Sequence, residues 1–420
     1  MDRIQWIDGL RGIAATIVAV NHFFCGEIKM PFRTFWAEPA EENRRLIQLP
    51  PIRFLWAMDA MVPLFMVTSG YAISSRLLQL RESRSNKLFE RLRSSILRRP
   101  LRLYLPLILL SSCNQLFFYL GMYEDWVQKK VSARITPWKS PWSHMCYLFE
   151  HIMDMLNIIQ LQWNIQINGH LWTIPIELRG SYIIYFIIFM QSTWRPRARI
   201  TCLSFMLAYL LWYGQWYILC FISGLILAEL RTFTRQPPII TRWTASYVLR
   251  SAVALYLMCL SSEDDYPPDY RILSKLQTRH WSQYAGWTDV RKNWHSIGAV
   301  CFFSVVMESP RLQRVLTTRF PQYLGRISFP MYLIHLSVYQ MWSWALRSRI
   351  WWLIQRRAWP APHEEDENMR ALVVVFALTW MVLGPGVIAM ADLYVRVLEP
   401  RIERLSKSIE LWMNQKGHRD

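Results

Sequence analysis

The stretch DGLRGIAATIVAVNH, Asp8 to His22, is the one on which the reading of the fold turns. Its small and aliphatic residues make a run long enough to enter a bilayer, yet that run is bracketed by Arg11 and His22. Ionisable side chains at membrane depth are expensive and mark functional positions by default. Eleven residues separate the pair. That is close to three turns at about 3.6 residues per turn, so both side chains fall on one helical stripe. At about 1.5 Å per residue they lie roughly 16 Å apart along the axis. Each also has a plain structural explanation: a snorkelling interfacial anchor for Arg11 and an interhelical hydrogen bond for His22.

Working outward, the composition supports a membrane protein. Of 420 residues, 53% are hydrophobic and 15% aromatic, which is too apolar for an ordinary soluble protein. The 22 Trp and 19 Tyr suit the aromatic belts of a bilayer interface. A spanning helix needs about 20 mostly apolar residues. Segments near 8–26, 54–75, 103–123, 178–193, 198–213, 215–230, 244–262, 293–309, 323–346 and 371–395 meet that pattern, which predicts ten crossings. The uncharged stretch Ile200–Ala228 reads as two short helices turning at Tyr213-Gly214-Gln215, or as one long tilted helix. The segment 143–168 carries His144, Glu150, His151 and Asp154, and suits an interfacial amphipathic helix better than a span. The fold class expected is therefore all-α, a polytopic integral membrane protein in one domain covering 1–420.

The net charge of +18 excludes little by itself, but its distribution argues against nucleic acid as a partner. The basic residues concentrate in short segments between apolar runs, 76–102, 194–200, 231–243, 310–320 and 396–407. Longer segments alternate with them and hold the acidic runs EDD (263–265) and EEDE (364–367). Dense basic segments belong in the cytosol, so both termini are expected there, with 76–102 a basic cytosolic loop and 396–420 a cytosolic tail. The seven cysteines show no CxxC spacing and read as small buried hydrophobes, so neither a disulfide framework nor a metal site is expected. The charged start gives no cleavable signal pattern, and the first span is expected to be retained.

Four further stretches could carry chemistry. RRPLRLYLP (98–106) crowds Arg98, Arg99 and Arg102 at the mouth of a span, which suits anionic lipid or a phosphorylated ligand held bidentately. PLFMVTSGY (63–71) sets Ser69 beside Gly70, where a missing side chain lets another helix or a ligand approach. HLWTIPIELRGSY (170–182) carries Glu177, either half of an interfacial cluster with Arg179 or a carboxylate that orients an imidazole or binds a hydroxyl. LGRISFPMYLIHLSVY (324–339) starts with Arg326 and places Ser328, Tyr332, His335 and Tyr339 at i, i+4, i+7 and i+11, one face of a helix.

In this order along the chain, DGLRG…H, PLFMVTSGY, RRPLRLYLP, LWTIPIELRGSY and LGRISFPMYLIH resemble the membrane acyltransferase-3 family, most closely its fungal branch. The resemblance runs from about residue 6 to the last span. Where the family often has Gly-Val-Asp-Leu before Phe-Phe, this chain has Met61-Val62-Pro63-Leu64, and Met66 replaces the second Phe. The soluble domain of some bacterial members is absent.

The resemblance implies an O-acyltransferase that moves an acyl group, commonly acetyl, from acyl-CoA to a hydroxyl of a small metabolite, lipid or sugar. Acyl-CoA would be a co-substrate rather than a permanently bound cofactor. The family's Arg-x10-His motif maps onto Arg11 and His22, and its arginines onto Arg98, Arg99 and Arg102. On that reading His22 is the general base, with an ordinary imidazole pKa near 6.5 suited to the task. Arg11, Glu177 and His335 support it, while Arg98, Arg99, Arg102, Ser69 and Arg326 serve the donor. A multi-span transporter using intramembrane His, Arg and Glu is the rival reading. The sequence shows no internal repeat to support it.

Overall fold

The computed structural model describes residues 4–25, 28–83, 85, 87–131, 134–161, 167–234, 244–282, 286–360 and 369–415; the EEDE run lies outside them. Among the described residues the chain is all-helical, with short 3-10 turns and no strand. The α-helices are α1 Gln5–Phe24, α2 Met58–Glu82, α3 Lys87–Tyr119, α4 Asp125–Val131, α5 Pro141–Leu156, α6 Thr173–Met190 and α7 Pro196–Trp212. They continue with α8 Trp216–Thr234, α9 Ala245–Met258, α10 Trp287–Glu308, α11 Pro310–Leu316, α12 Arg319–Gln355, α13 Met369–Val397 and α14 Glu399–Gln415.

Each of the ten apolar segments falls on a helix. Among the described residues, five stretches are long and apolar enough to cross a membrane: Met58–Glu82, Lys87–Tyr119, Gly169–Met190, Trp216–Phe233 and Met369–Met413. The stretch Ile200–Ala228 is two helices, α7 and α8, because Gly214 turns the chain at φ +67°, a backbone angle glycine adopts without a Cβ penalty. The first part of the segment 143–168 lies on α5, which ends at Leu156 and is started by Pro141 at its first turn.

The basic segment 76–102 is not a loop. Its Leu, Arg, Lys and Glu residues are good helix formers. They carry α2 to Glu82, where the Ser83 N–H closes on the Gln79 carbonyl, and form α3 from Lys87. The expected tail 396–420 is likewise largely helical, as the end of α13 and as α14.

The helices gather into two compact units, each discontinuous in sequence. The first comprises Met1–Asn21, Cys25–Ile96 and Glu177–Arg326. Its centre is α2 against α8 and α10, with α9 on α10 and α7 on α8. Glycines set the spacing: a Cβ on Gly70 would stand 2.3 Å from the Phe221 carbonyl oxygen, and one on Gly224 would stand 2.4 Å from that of Val67. The Ser-Gly pair of PLFMVTSGY therefore serves close helix packing. A second close approach seats α1 on the start of α12, where a Cβ on Gly12 would lie 2.3 Å from the Gly325 nitrogen.

The second unit comprises His22–Phe24, Leu97–Ile176 and Ile327–Asp420. Here α5 docks on α3 through a polar ladder. Tyr104 OH donates to the Met155 carbonyl at 2.7 Å, Ser111 Oγ meets His151 Nε2 at 3.3 Å, and Gln115 Nε2 meets His144 Nδ1 at 2.8 Å. Deeper in this unit, the Asn114 amide bridges Asn168 Oδ1 at 2.5 Å and Ser337 Oγ at 2.8 Å. Buried polar groups need such partners, so these bonds fix which faces of α3, α5 and α12 meet.

Candidate active site

The second unit brings His22 and His335 together. α1 ends within two residues of His22, and α12 carries His335 fully buried at mid-helix. His335 Nε2 lies 3.1 Å from His22 Nδ1, and the rings stack with centroids 5.1 Å apart and an interplanar angle of 30°.

Hydrogen bonding sets the tautomers, since the partner of one ring nitrogen determines the state of the other. His335 Nδ1 is 3.1 Å from the Met331 carbonyl oxygen, which can only accept, so Nδ1 carries the proton. In a neutral His335 the Nε2 then holds a lone pair. His22 must therefore donate its Nδ1–H across the 3.1 Å contact. That places the lone pair of neutral His22 on Nε2, as a general base requires.

A third imidazole joins them. The His170 ring centroid is 5.2 Å from that of His335, and its Nε2 is 2.8 Å from the Leu333 carbonyl oxygen. By the same reasoning Nε2 carries the proton. Nδ1 is buried with no hydrogen-bond partner among the described residues. Tyr332 pins this turn to α12, because its hydroxyl bonds the His170 carbonyl and lies 2.6 Å from Thr173 Oγ1. His170 stands at the head of the HLWTIPIE motif, whose Glu177 drew the attention in sequence. Its partner Leu333 is 163 residues away, and no local pattern reveals that pairing.

Arg98 also belongs to this unit. Its guanidinium faces Glu403 and Glu410 of α14 at 3.9 Å and 3.7 Å. Arg99 follows directly, and Arg102 is exposed one turn further along α3.

The other expected site residues lie in the first unit. Arg11 is partly buried on α1, three turns before His22 on the same continuous helix. Ser69 Oγ donates to Glu177 Oε1 at 2.8 Å, joining two residues 108 positions apart. Two residues further along α6, Arg179 lies over the Tyr217 ring, 5.8 Å from its centroid. Arg326 is exposed and stacks over Tyr323 at 5.5 Å. One further charge cluster carried no sequence signal: Glu229 of α8 is buried between Arg81 at 2.6 Å and Arg199 at 3.2 Å.

The O-acetyltransferase PaAT-1 of Phomopsis amygdali is 26% identical over 439 residues, covering 96% of this chain and 84% of that protein. The acyltransferase clz18 of Cochliobolus lunatus is 23% identical over 461 residues, covering 96% of this chain and 95% of that protein. The acyltransferase R4 of a Phoma species is 23% identical over 449 residues, covering 94% and 93%. No solved structure matches the chain. Residues 4–390 match a family model described as an acyltransferase domain, a span that takes in both histidines of the stacked pair and every arginine singled out above. With that match over nearly its whole length, this helical chain belongs to the acyltransferase-3 family.

Proposed function

We propose that the protein is an integral membrane O-acyltransferase that moves an acetyl group from acetyl-CoA to a hydroxyl of a small metabolite, lipid or sugar. The observation that carries this reading is the His22–His335 hydrogen bond, which leaves the basic lone pair on His22 Nε2. In the reaction, Nε2 takes the proton from the acceptor hydroxyl as that oxygen attacks the thioester carbonyl. The C–S bond then breaks, and the leaving thiolate takes the proton back from His22. His335 holds the ring and shares the transient positive charge through its Nε2 lone pair. General-base assistance of this kind contributes about 10²–10⁴ in rate.

Arg98, Arg99 and Arg102 are the residues we assign to the CoA phosphates, since guanidinium groups bind phosphate through parallel N–H bonds. Acetyl is favoured as the acyl group because the Phomopsis relative is named an O-acetyltransferase. Ten crossings with both termini cytosolic complete the reading, supported by the basic segments that alternate with longer acidic ones.

The test is thioester consumption by purified protein supplied with acetyl-CoA and an acceptor extract. Thiol release and acetyl transfer are expected for the wild type, with loss of both in His22→Ala at unchanged membrane abundance. Full turnover in that variant would remove His22 as the base. A transporter would consume no thioester with any acceptor.

A further inference from the structure

The basic end of α3 is already occupied. Arg98 Nη2 stands 3.9 Å from Glu403 and Nε stands 3.7 Å from Glu410, both on α14. Neither distance is a hydrogen bond. Arg98 Nε is buried and has no hydrogen-bond partner among the described residues. The guanidinium is therefore attracted to carboxylates while its directional donor stays unused.

The sequence of α14 explains the contact. Glu399, Glu403, Ser406 and Glu410 recur at i, i+4, i+7 and i+11, one stripe of a helix. Ser406 is fully buried and Glu410 partly so, while Glu399 and Glu403 are exposed. Arg401, Arg404 and Lys407 are exposed. Two of its acids, Glu403 and Glu410, thus reach the arginine, and Glu403 also pairs with Lys407 at 3.0 Å on the exposed side. α14 begins beyond residue 390, where the match to the family ends.

We propose that α14 is a displaceable strap whose carboxylates stand in for the CoA phosphates on Arg98 until the co-substrate binds. This rests on the assignment of Arg98, Arg99 and Arg102 to those phosphates. A partly exposed ion pair without hydrogen bonds is weak. A phosphate accepting two parallel N–H bonds from the same guanidinium is strong, so the ligand wins the exchange and α14 lifts.

Binding of radiolabelled acetyl-CoA to full-length protein in detergent tests this, comparing wild type, the Glu403→Gln/Glu410→Gln double variant and Arg98→Gln. The double variant is expected to bind about fivefold more tightly, the scale of one exposed ion pair. That gain should vanish with acetyl-pantetheine, which lacks the nucleotide phosphates. Arg98→Gln should weaken acetyl-CoA binding. Unchanged or weaker binding in the double variant, with Arg98→Gln still weakened, overturns the strap and leaves the phosphate assignment standing. Unchanged binding in Arg98→Gln overturns the assignment itself, and the strap with it. Wild-type protein supplies an independent readout: trypsin cleavage at Arg401, Arg404 and Lys407 should accelerate when CoA is added, and equal cleavage with and without CoA overturns the proposal.

Discussion

His22 Nδ1 and His335 Nε2 face each other across 3.1 Å, and the Met331 carbonyl on the far side of His335 decides which of them donates. The consequence is directional, since the proton between the rings belongs to His22 and the lone pair of the neutral ring falls on its outer nitrogen. On the proposed mechanism His335 acts through His22 as a positioning residue. Replacing it by alanine removes the acceptor that sets the His22 tautomer, and kcat should fall by roughly 10²-fold, the lower end of acid–base assistance. His335→Gln, which keeps an acceptor oxygen, should recover part of that loss. A purely structural His335 would change protein yield and leave the pH profile of the surviving enzyme unmoved.

Glu229 supports a prediction about stability. It is buried between Arg81 and Arg199, and Glu82 reaches Arg199 at 2.8 Å. Removing one partner of a buried ion pair leaves uncompensated charge and costs about 3–5 kcal/mol. Glu229→Ala should therefore lower the unfolding temperature in detergent sharply, and the Arg81→Leu/Glu229→Leu/Arg199→Leu triple variant should regain much of it. Equal unfolding temperatures for Glu229→Ala and wild type would show that water screens the cluster.

These sites differ in how legible they were in the sequence. Apolar runs are conspicuous, so each of the ten segments falls on a helix, although among the described residues five stretches are long and apolar enough to cross a membrane; Gly214 marks the turn between α7 and α8. His22 and His335 stood out because an imidazole in an apolar run is conspicuous. That they touch was not legible, being a tertiary fact across 313 residues. Glu229, in the segment LAELR, looks like an ordinary charge near a helix end, and only folding brings it to Arg81, 148 residues away. The segment 76–102, expected as a loop because it connects two apolar runs, is largely helical, since Arg, Lys, Glu and Leu all favour helix.

The glycine contacts make a sharper structural test than any polar site. α2 and α8 touch backbone to backbone at Gly70 and Gly224, where an added Cβ would meet Phe221 and Val67 carbonyl oxygens at 2.3 Å and 2.4 Å. Overpacking of this kind costs about 1–3 kcal/mol. Gly70→Ala and Gly224→Ala should each lower the unfolding temperature. Gly386→Ala, whose new methyl group meets nothing within 4 Å, should leave it unchanged. Equal behaviour of all three would refute the close approach.

The ladder joining α5 to α3 predicts an acid-sensitive element. Burial lowers the pKa of His144 and of His151 below their ordinary value near 6.5, with a backbone bond to Thr136 partly opposing this at His144 and the Asp154 charge at His151. Both rings are neutral when docked, with His151 against Ser111 and His144 between Gln115 and the Thr136 carbonyl. An undocked α5 would bind protons at the ordinary value. The sign follows: docking is fully stable above about pH 6.5 and weakens as pH falls below it, because acid favours the state that takes up more protons. Hydrogen exchange across Pro141–Leu156 should therefore accelerate between pH 7 and pH 5 once corrected for intrinsic rates. The His144→Gln/His151→Gln variant should lose that dependence while α5 remains helical. If wild-type exchange in α5 is flat over this range, the two imidazoles are not what couples the helix to pH, and the attachment rests on Tyr104 and the apolar contacts instead.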